Sequence, residues 1–548
     1  MSNSSKKQSN FILQAGILAA AGFISRIIGL LYVSPVQTII GTVGLGYYSS
    51  AYTYYTIILL ISSYSIPSAI SKVIAQKLSL KEYRNAHRIF RCAMYYVLGV
   101  GLIASLFLYF GAGLFVEKSA VPVLRVFAPT IFLYGILGVL RGYFQAHKSM
   151  VQTSVSQILE QIVNAIVSIG AAYGFVKLAE KMAAENGGDN SAVYGAMGSA
   201  FGTGAGVVAA LLFMVGIYGL NKGLIQKRIR RDRTTQVDSY KEISGTIVRV
   251  VLPFILSTAA YNLSASLNNK IYTSIMIGYR KLEETVVYSD YGIFNGEATK
   301  ISNIPIAFAS AMAAAIIPTV AQLVARQDLT GAREKIHQAV KTIMIISIPS
   351  AVGLLVLAKP VLQLLFPREA NLDLAAGTLM ALALSVVFYA LSTLSSSILQ
   401  GIGRVNAPIV NAVLALIIQT AVLVPLLFLT DLNVYALAIA STVYSGAMCI
   451  LNQISVHKAL GYRQEIMGTF VLPGMAAVFM GGIAWTVYEG MKLLIESNVV
   501  CIIPAICVAV VVYFVLLILF KGVNEAELKA MPKGYLLVKV AKKCRLIR

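Results

Sequence analysis

The sequence has few charged residues: Asp, Glu, Lys and Arg make up 12% of its 548 residues. Soluble domains carry about twice that share. Apolar residues reach 57%, and the mean hydropathy is +0.76. One water-soluble core cannot hide so many apolar side chains, because the surface area per residue falls only slowly as a chain becomes longer. The composition therefore excludes an ordinary soluble enzyme and favours a protein dissolved in lipid.

Cysteine and histidine are also scarce. The five cysteines are scattered and form neither a disulfide framework nor a zinc motif. The four histidines show no metal-pair spacing, and no P-loop or dinucleotide fingerprint occurs. We therefore expect no catalytic constellation, no metal and no cofactor, and we expect the protein not to be an enzyme.

Long apolar runs are what the sequence does contain. Each is about twenty residues or longer, the length of a transmembrane helix, whereas barrel strands alternate over about ten. The runs predict an all-α integral membrane protein with about fourteen transmembrane helices. Their predicted starts lie near Phe11, Gly44, Arg88, Val121, Thr153, Tyr194, Ile247, Ile293, Ala339, Leu374, Asn406, Val434, Thr469 and Val499.

The excess of basic residues predicts the orientation. Lys and Arg concentrate in alternate loops and include the runs "QKRIRRDR" and "KKCRLIR". Cytoplasmic loops carry such an excess, so we expect a multi-pass protein with both termini in the cytoplasm. We expect the basic runs to bind anionic lipids of the inner leaflet, and we do not expect a nucleic-acid partner.

A weak internal repeat predicts two lobes. The segment "IPSAISKVIAQKL" from Ile66 aligns with "IPTVAQLVARQDL" from Ile317, which pairs helix 2 with helix 8 and helix 4 with helix 10. Six helices return the chain to the same side, so the two six-helix bundles form a parallel repeat, with two C-terminal helices added. The predicted ranges are 1–220 for the first lobe, 221–246 for a basic cytoplasmic linker, 247–458 for the second lobe and 459–548 for helices 13 and 14 with the basic tail.

Charged side chains at membrane depth are costly and therefore candidates for function. Arg26 lies deep in helix 1, where it either lines a cavity or reaches the outer interface. Lys72 lies near the inner end of helix 2 and either snorkels or contributes to a site. Glu297 and Lys300 are three residues apart on helix 8 and either neutralise each other or act in the cavity.

Polar residues of helix 5 share one face at helical spacing. The stripe consists of Gln157, Glu160, Gln161, Asn164 and Ser168, and it either hydrogen-bonds neighbouring helices or borders water. The carboxylate of Glu160 favours the second alternative, a face that borders water. Helix 7 carries Asn268, with Lys270 close to its outer end. The candidate cavity or coupling residues are Gln145, Gln157, Glu160, Gln161, Asn164, Asn268, Glu297 and Lys300.

Five tyrosines cluster in helix 2: Tyr47, Tyr48, Tyr52, Tyr54 and Tyr55. Tyrosine is enriched at the two membrane interfaces, so the cluster predicts an aromatic belt. Stacking of a sugar ring is the alternative.

An ordered set of motifs resembles a known family. The motifs are "SRIIGLLY" at Ser25, "IPSAISK" at Ile66, "LRGYFQAHKSM" at Leu140, "SQILEQI" at Ser156 and "LQGIGR" at Leu399. Together they resemble the polysaccharide-transporter branch of the multidrug/oligosaccharidyl-lipid/polysaccharide flippase superfamily, in particular the stage V sporulation protein B group, which includes MurJ-type lipid II flippases.

That resemblance implies a flippase of the bacterial cytoplasmic membrane that moves a polyprenyl-pyrophosphate-linked glycan by alternating access, with lipid II as the leading substrate. It implies that Arg26, Lys72, Arg141 and Lys270 bind the pyrophosphate of the head group, since guanidinium suits bidentate contact with phosphate. Glu160 either pairs with one of these cations or couples transport to an ion. Cell-wall synthesis proteins are candidate partners.

Three rival functions stay open. A cation-coupled multidrug exporter shares the architecture, but its cavity should not be cationic. A non-transporting membrane scaffold for cell-wall or spore assembly needs no charge in the membrane. A membrane-embedded glycosyltransferase needs acidic residues on loops.

Overall fold

The structure is a computed structural model that describes residues 20–64, 66–147, 149–186, 190–232 and 237–523. In these residues every regular element is helical, which confirms the all-α class. The α-helices are α1 (Ala20–Leu31), α2 (Val33–Leu59), α3 (Ile66–Ser79), α4 (Tyr83–Phe115), α5 (Val121–Ala146), α6 (Met150–Asn186), α7 (Ser191–Arg230), α8 (Tyr240–Thr273), α9 (Glu284–Tyr291), α10 (Thr299–Ala325), α11 (Leu329–Val356), α12 (Ala358–Leu365), α13 (Leu372–Gly401), α14 (Asn406–Leu429), α15 (Val434–Leu460), α16 (Leu472–Lys492) and α17 (Asn498–Leu519).

Many of these helices are long and apolar enough to cross a membrane. Ten qualify within the described residues, and α1 with α2 forms an eleventh span if this pair, bent by 45°, is one crossing. The protein is therefore a multi-pass membrane protein. The count of fourteen crossings stays a prediction, and so does the side on which the termini lie.

A glycine interrupts α2 close to the predicted start of helix 2. Within α2 the helical backbone is interrupted at Gly41, with φ 70° and ψ 177°. Side chains with a Cβ rarely adopt this conformation, whereas glycine does so at little steric cost. The chain thus changes direction just before Gly44, where helix 2 was predicted to start.

Contacts divide the chain into unit 1, Met1–Gly292, and unit 2, Ile293–Arg548. In unit 1, α5 packs against α3, α4 and α7, and α6 packs along α7. Glycines allow α6 and α7 to approach closely: a Cβ at Gly198, Gly202 or Gly206 would collide with the backbone of α6. Their spacing of four residues matches the small-residue interfaces of membrane helices.

Unit 2 repeats this packing order. There α13 packs against α10, α11 and α15, and α14 packs against α15. Because α13 corresponds to α5 and α10 to α3 in the sequence repeat, the matched helices have matched neighbours. The two added helices, α16 and α17, pack against each other, and α16 also packs against α11.

The contact division differs from the predicted lobe ranges, which stay predictions. Helix α8 packs against α2, α3 and α4 and therefore belongs to unit 1. Much of the predicted linker is helical, because α7 continues to Arg230 and α8 begins at Tyr240. A capping box starts α8: Ser239 accepts from the backbone N–H of Glu242, whose side chain accepts from the backbone of Ser239.

The predicted aromatic belt of helix 2 is not what the structure contains. Four of its tyrosines are buried inside unit 1, and only Tyr52 is exposed. Tyr55 stacks on Phe127 of α5, and Tyr47 lies against Tyr288. Most of these rings therefore hold helices together instead of lying at a lipid interface.

Candidate functional site

A buried ion pair joins α5 to α6. The Nη2 of Arg141 donates to Oε2 of Glu160 at 2.8 Å, and its Nε donates to the Ser156 hydroxyl at 2.9 Å. The side chains of Arg141 and Glu160 are only 4% and 15% exposed. The Tyr134 ring lies 6.0 Å from the guanidinium carbon. Arg141 is thus held by Glu160 and Ser156, and with 4% of its side chain exposed it is closed to a ligand in this conformation.

The C-terminal end of the α6 stripe, at Asn164 and Ser168, forms hydrogen bonds with a neighbouring helix. Ser168 donates to Asn164 at 2.9 Å, and its hydroxyl also lies 2.9 Å from the Ser199 carbonyl of α7. Thr203 of α7 donates to Asn164 at 3.5 Å. At this end the stripe serves helix packing, the first of the two predicted alternatives, since Asn164 and Ser168 are buried.

The N-terminal end of the stripe is more exposed. Gln157, Glu160 and Gln161 are half-buried, as is Gln145 on α5. The Oε1 of Gln157 is buried and has no hydrogen-bond partner among the described residues. The stripe therefore divides into a packed half and a half that offers unused polar groups.

Arg26 approaches this open half on α1. A Cβ placed on Gly29 would lie 3.7 Å from Oε1 of Gln161, so α1 contacts α6 there. Arg26 precedes Gly29 by three residues, about 4.5 Å along a helix axis. Its side chain is exposed. A guanidinium is costly to place against hydrocarbon, so we expect the exposed face to border water or lipid head groups.

Lys72 lies on α3, beside α5. Gly142, the neighbour of Arg141, approaches the backbone of Pro67 so closely that a Cβ would collide with it. Lys72 follows Pro67 by five residues, about 7.5 Å along the helix, and it is exposed. The structure thus brings Arg26, Lys72 and the Arg141–Glu160 pair to the same half of unit 1.

Lys270 and Asn268 lie elsewhere in unit 1. The ammonium of Lys270 is 3.9 Å from a carboxylate oxygen of Glu117, and both side chains are partly exposed. Glu117 precedes α5, in which Arg141 is twenty residues after Val121, about 30 Å along the axis. Asn268 is buried near the same end of α8. The structure therefore does not bring Lys270 together with the other three predicted cations.

Glu297 and Lys300 belong to unit 2. Glu297 is fully buried, and neither carboxylate oxygen has a hydrogen-bond partner among the described residues. The mutual neutralisation that their spacing suggested is therefore not seen in this structure. The residues lie on one helix, but Glu297 is in a π-helical stretch, Gly292–Ala298, that changes which side chains align.

A polar corner that the sequence analysis missed joins the α3–α4 turn to the segment before α8. Lys77 lies 2.9 Å from Glu82 and 2.6 Å from Asp238, and Asn85 accepts from the backbone N–H of Asp238 at 3.0 Å. The hydrogen bond from Asn85 and the Lys77 ammonium lower the pKa of Glu82 from its ordinary value. Nothing in the sequence pairs Asp238 with a turn some 150 residues earlier, so only the fold could reveal this network.

No cluster of three His, Cys, Asp or Glu side chains that could hold a metal ion occurs in the described part of the chain.

Comparisons with known proteins bear on this arrangement. The family model described as lipid II flippase MurJ matches residues 75–504. A lipid II flippase MurJ of Bacillus subtilis (strain 168) is 25% identical over 478 residues, covering 84% of this chain and 86% of that relative. The stage V sporulation protein B of the same organism is 22% identical over 521 residues, covering 94% and 96%.

Solved structures share the fold. A lipid II flippase MurJ in an inward closed conformation superimposes with a TM-score of 0.61 at 13% identity, covering 91% of this chain and 97% of that one. A MATE in complex with MaL6 gives 0.58 at 17% identity, covering 82% and 96%. At these identities the likeness concerns the fold alone.

Proposed function

This chain belongs to the family described as lipid II flippase MurJ, and we propose that it carries a polyprenyl-pyrophosphate-linked glycan, foremost lipid II, across the cytoplasmic membrane by alternating access. It is thus a transporter and not an enzyme. The relatives named for lipid II flipping support a lipid-linked cargo. The anionic, hydrated head group of such a lipid cannot cross hydrocarbon unaided.

The observation that carries the proposal is the pair of exposed cations beside a buried ion pair. Arg26 and Lys72 are exposed in the half of unit 1 where Arg141 is held by Glu160. In the proposed function, Arg26 and Lys72 make the first contacts with the pyrophosphate. Glu160 keeps Arg141 neutralised when no head group is bound, since an unpaired buried cation is costly.

Entry of the pyrophosphate near Arg141 would offer this guanidinium a second anion. Arg141 could then exchange Glu160 for phosphate oxygens, which accept the same bidentate fork. Such an exchange makes binding of the head group compete with the tie between α5 and α6. This competition supplies the differential contact that a ligand needs to shift a conformational equilibrium.

Reconstitution tests the proposal. Proteoliposomes are loaded with lipid II or with other polyprenyl pyrophosphate glycans, and arrival of the head group at the opposite face is measured. We expect translocation of lipid II, and a loss of about tenfold or more in rate for Arg26→Gln, because one charge-assisted contact contributes at least about 1.4 kcal/mol.

Arg125→Gln is the matched control. Arg125 is also an exposed arginine of unit 1, but it packs over the Tyr109 ring near the other end of α5. We expect this variant to translocate at the wild-type rate. If no lipid-linked glycan crosses with the wild-type protein, the proposed function is wrong.

A cation-coupled multidrug exporter is the second candidate, and Glu297 is the observation that favours it. Glu297 is a buried acid close to the carboxyl group of Glu369, and two neighbouring carboxyl groups are a suitable site for a proton or a coupling ion. Glu297→Gln in the same proteoliposomes separates the two functions. Export of organic cations that depends on Glu297, without movement of lipid II, would identify the exporter.

A further inference from the structure

A small cavity lies between α4, α5 and α7. Its lining residue Tyr143 is two residues after Arg141, a rotation of about 200°, so the cavity and the Arg141–Glu160 pair lie on opposite sides of α5. Its enclosed volume is small, about 20 Å³ for the centre of a water-sized sphere, and it opens to solvent. His87, Tyr143, His147 and Arg228 contribute its polar lining, and apolar side chains such as Leu78 and Ile225 complete the wall. No Asp or Glu lines it. The cavity therefore presents cationic and donor groups without an anion to balance them.

The hydrogen bonds of the lining leave donors unused. The Nε2 of His87 accepts from Nε of Arg91 at 3.2 Å, so the proton of the neutral ring is on Nδ1. That Nδ1 is buried and has no hydrogen-bond partner among the described residues. The ring of His147 is fixed by Nδ1, which donates to the Tyr143 carbonyl at 2.9 Å. Its Nε2 becomes a second donor when the ring takes up a proton.

Arg228 adds a permanent charge. It lies in the last turn of α7 together with Lys227 and Arg230, and in the described part of the chain no carboxylate pairs with it. Burial lowers the pKa of His147, and the Arg228 guanidinium lowers it further. A bound anion would offset the lowering of the His147 pKa by Arg228, because an opposite charge favours the protonated ring.

The position of the cavity fits a membrane surface. The cavity lies at the end of α5, which stops at Ala146, and beside the first turns of α4. These turns contain Arg88 and Arg91 and precede the apolar part of α4. Helix ends that carry such basic side chains lie at the level of lipid head groups. Phosphate is the anion that both the head groups and the adjacent water provide there.

We propose that this cavity between α4, α5 and α7 binds a phosphate group, presented by an anionic phospholipid or as free phosphate, through Arg228, His87 and His147. Phosphate accepts several hydrogen bonds at once, and the guanidinium fork matches two of its oxygens. The site is separate from the proposed substrate site and does not depend on the transported lipid.

Thermal unfolding of the full-length protein in a neutral detergent tests the proposal in two arms. One compares sodium phosphate with sodium chloride at equal ionic strength. The other compares micelles containing phosphatidylglycerol with micelles containing phosphatidylcholine. In at least one arm we expect the unfolding midpoint to rise by about 2 °C or more, since a ligand that binds only the folded state stabilises it.

Variants decide whether the effect arises in the cavity. Arg228→Gln and His147→Gln should each abolish most of the rise, while Lys222→Gln should keep it. Lys222 is the matched control because it is an exposed cation on the same helix but does not line the cavity. A rise with phosphate identifies a soluble source, and a rise only with phosphatidylglycerol identifies the lipid. No rise in either arm, or an equal rise in every variant, would overturn the proposal.

Discussion

The two units pack their matched helices in the same order, but they use different polar chemistry at matched places. In unit 1, Arg141 of α5 binds Glu160 of α6. In unit 2 the predicted sequence repeat matches Arg141 with Ser396 and Glu160 with Ala415. Ser396 accepts from Nδ2 of Asn452 at 2.8 Å, and Asn411 donates to Asn452 at 2.9 Å. A charged pair on one side thus corresponds to a neutral network on the other.

We infer from this difference that the fold does not need the charges. In unit 2, neutral amides and hydroxyls connect α13 and α14 through Asn452 of α15. A buried ion pair is often no more stabilising than an uncharged replacement, because both ions lose hydration. The charges of unit 1 are therefore better explained by a ligand than by folding, which agrees with the proposed binding of an anionic head group.

The largest expected effect on stability is that of Glu160→Ala. It leaves the Arg141 guanidinium buried without its carboxylate, and breaking one side of such a pair costs about 3–5 kcal/mol. Reversible unfolding in detergent with increasing denaturant measures the free energy of unfolding. The double variant Arg141→Leu/Glu160→Leu should lose less free energy of unfolding than Glu160→Ala alone. A loss equal to the sum of the losses of Arg141→Leu and Glu160→Leu would contradict the pairing.

Asn452→Ala in unit 2 should have a smaller effect. The variant removes hydrogen bonds to Asn411, Ser396 and the Ser392 carbonyl, but it leaves no buried charge. We expect a loss of about 1–3 kcal/mol, measured by the same unfolding experiment. A loss larger than that of Glu160→Ala would reverse the comparison between the units.

The ion pairs near helix ends should matter least. In unit 1, Glu82 belongs to the corner with Lys77, whereas in unit 2 the Lys359–Asp373 pair is 54% and 85% exposed. We expect Glu82→Gln to cost less than about 1 kcal/mol and Asp373→Asn to cost nothing measurable. Equal losses would show that the corner is not a distinct feature of unit 1.

The pH dependence of that corner has a defined sign. Because the pKa of Glu82 is lowered in the folded protein, its contribution is complete above the ordinary carboxyl pKa of about 4.3 and is lost as the pH falls through the lowered value. Unfolding midpoints measured on either side of this range should therefore fall with acid in the wild type, and less steeply in Glu82→Gln.

Local sequence patterns predicted much of the architecture. Apolar runs predicted helices such as α5, α14 and α15 to within a residue at their starts, and the helical spacing of Gln157, Glu160 and Asn164 correctly placed a polar face on α6. Such features depend on residues close in the chain. The motif resemblance predicted the family that the family model then matched.

Features that depend on distant residues were not predictable in the same way. The tyrosines of helix 2 share one broad side of α2, about 160° wide at 3.6 residues per turn. Such a side can face a lipid interface or a bundle interior, so the spacing does not distinguish the two. Lys270 carries the same charge as Arg26, but its position on α8 puts it beside Glu117. The choice of Arg141 as the partner of Glu160 likewise depends on how α5 crosses α6.

Affinity for a charged and an uncharged polyprenol tests the central claim, that unit 1 carries a site for the phosphates of a lipid. The purified protein in nanodiscs is titrated with undecaprenyl pyrophosphate and with undecaprenol. We predict that the wild type binds the pyrophosphate at least about tenfold more tightly, a difference of about 1.4 kcal/mol, and that Arg26→Gln/Lys72→Gln binds both lipids alike. Equal affinity of the wild type for the two lipids would contradict the account.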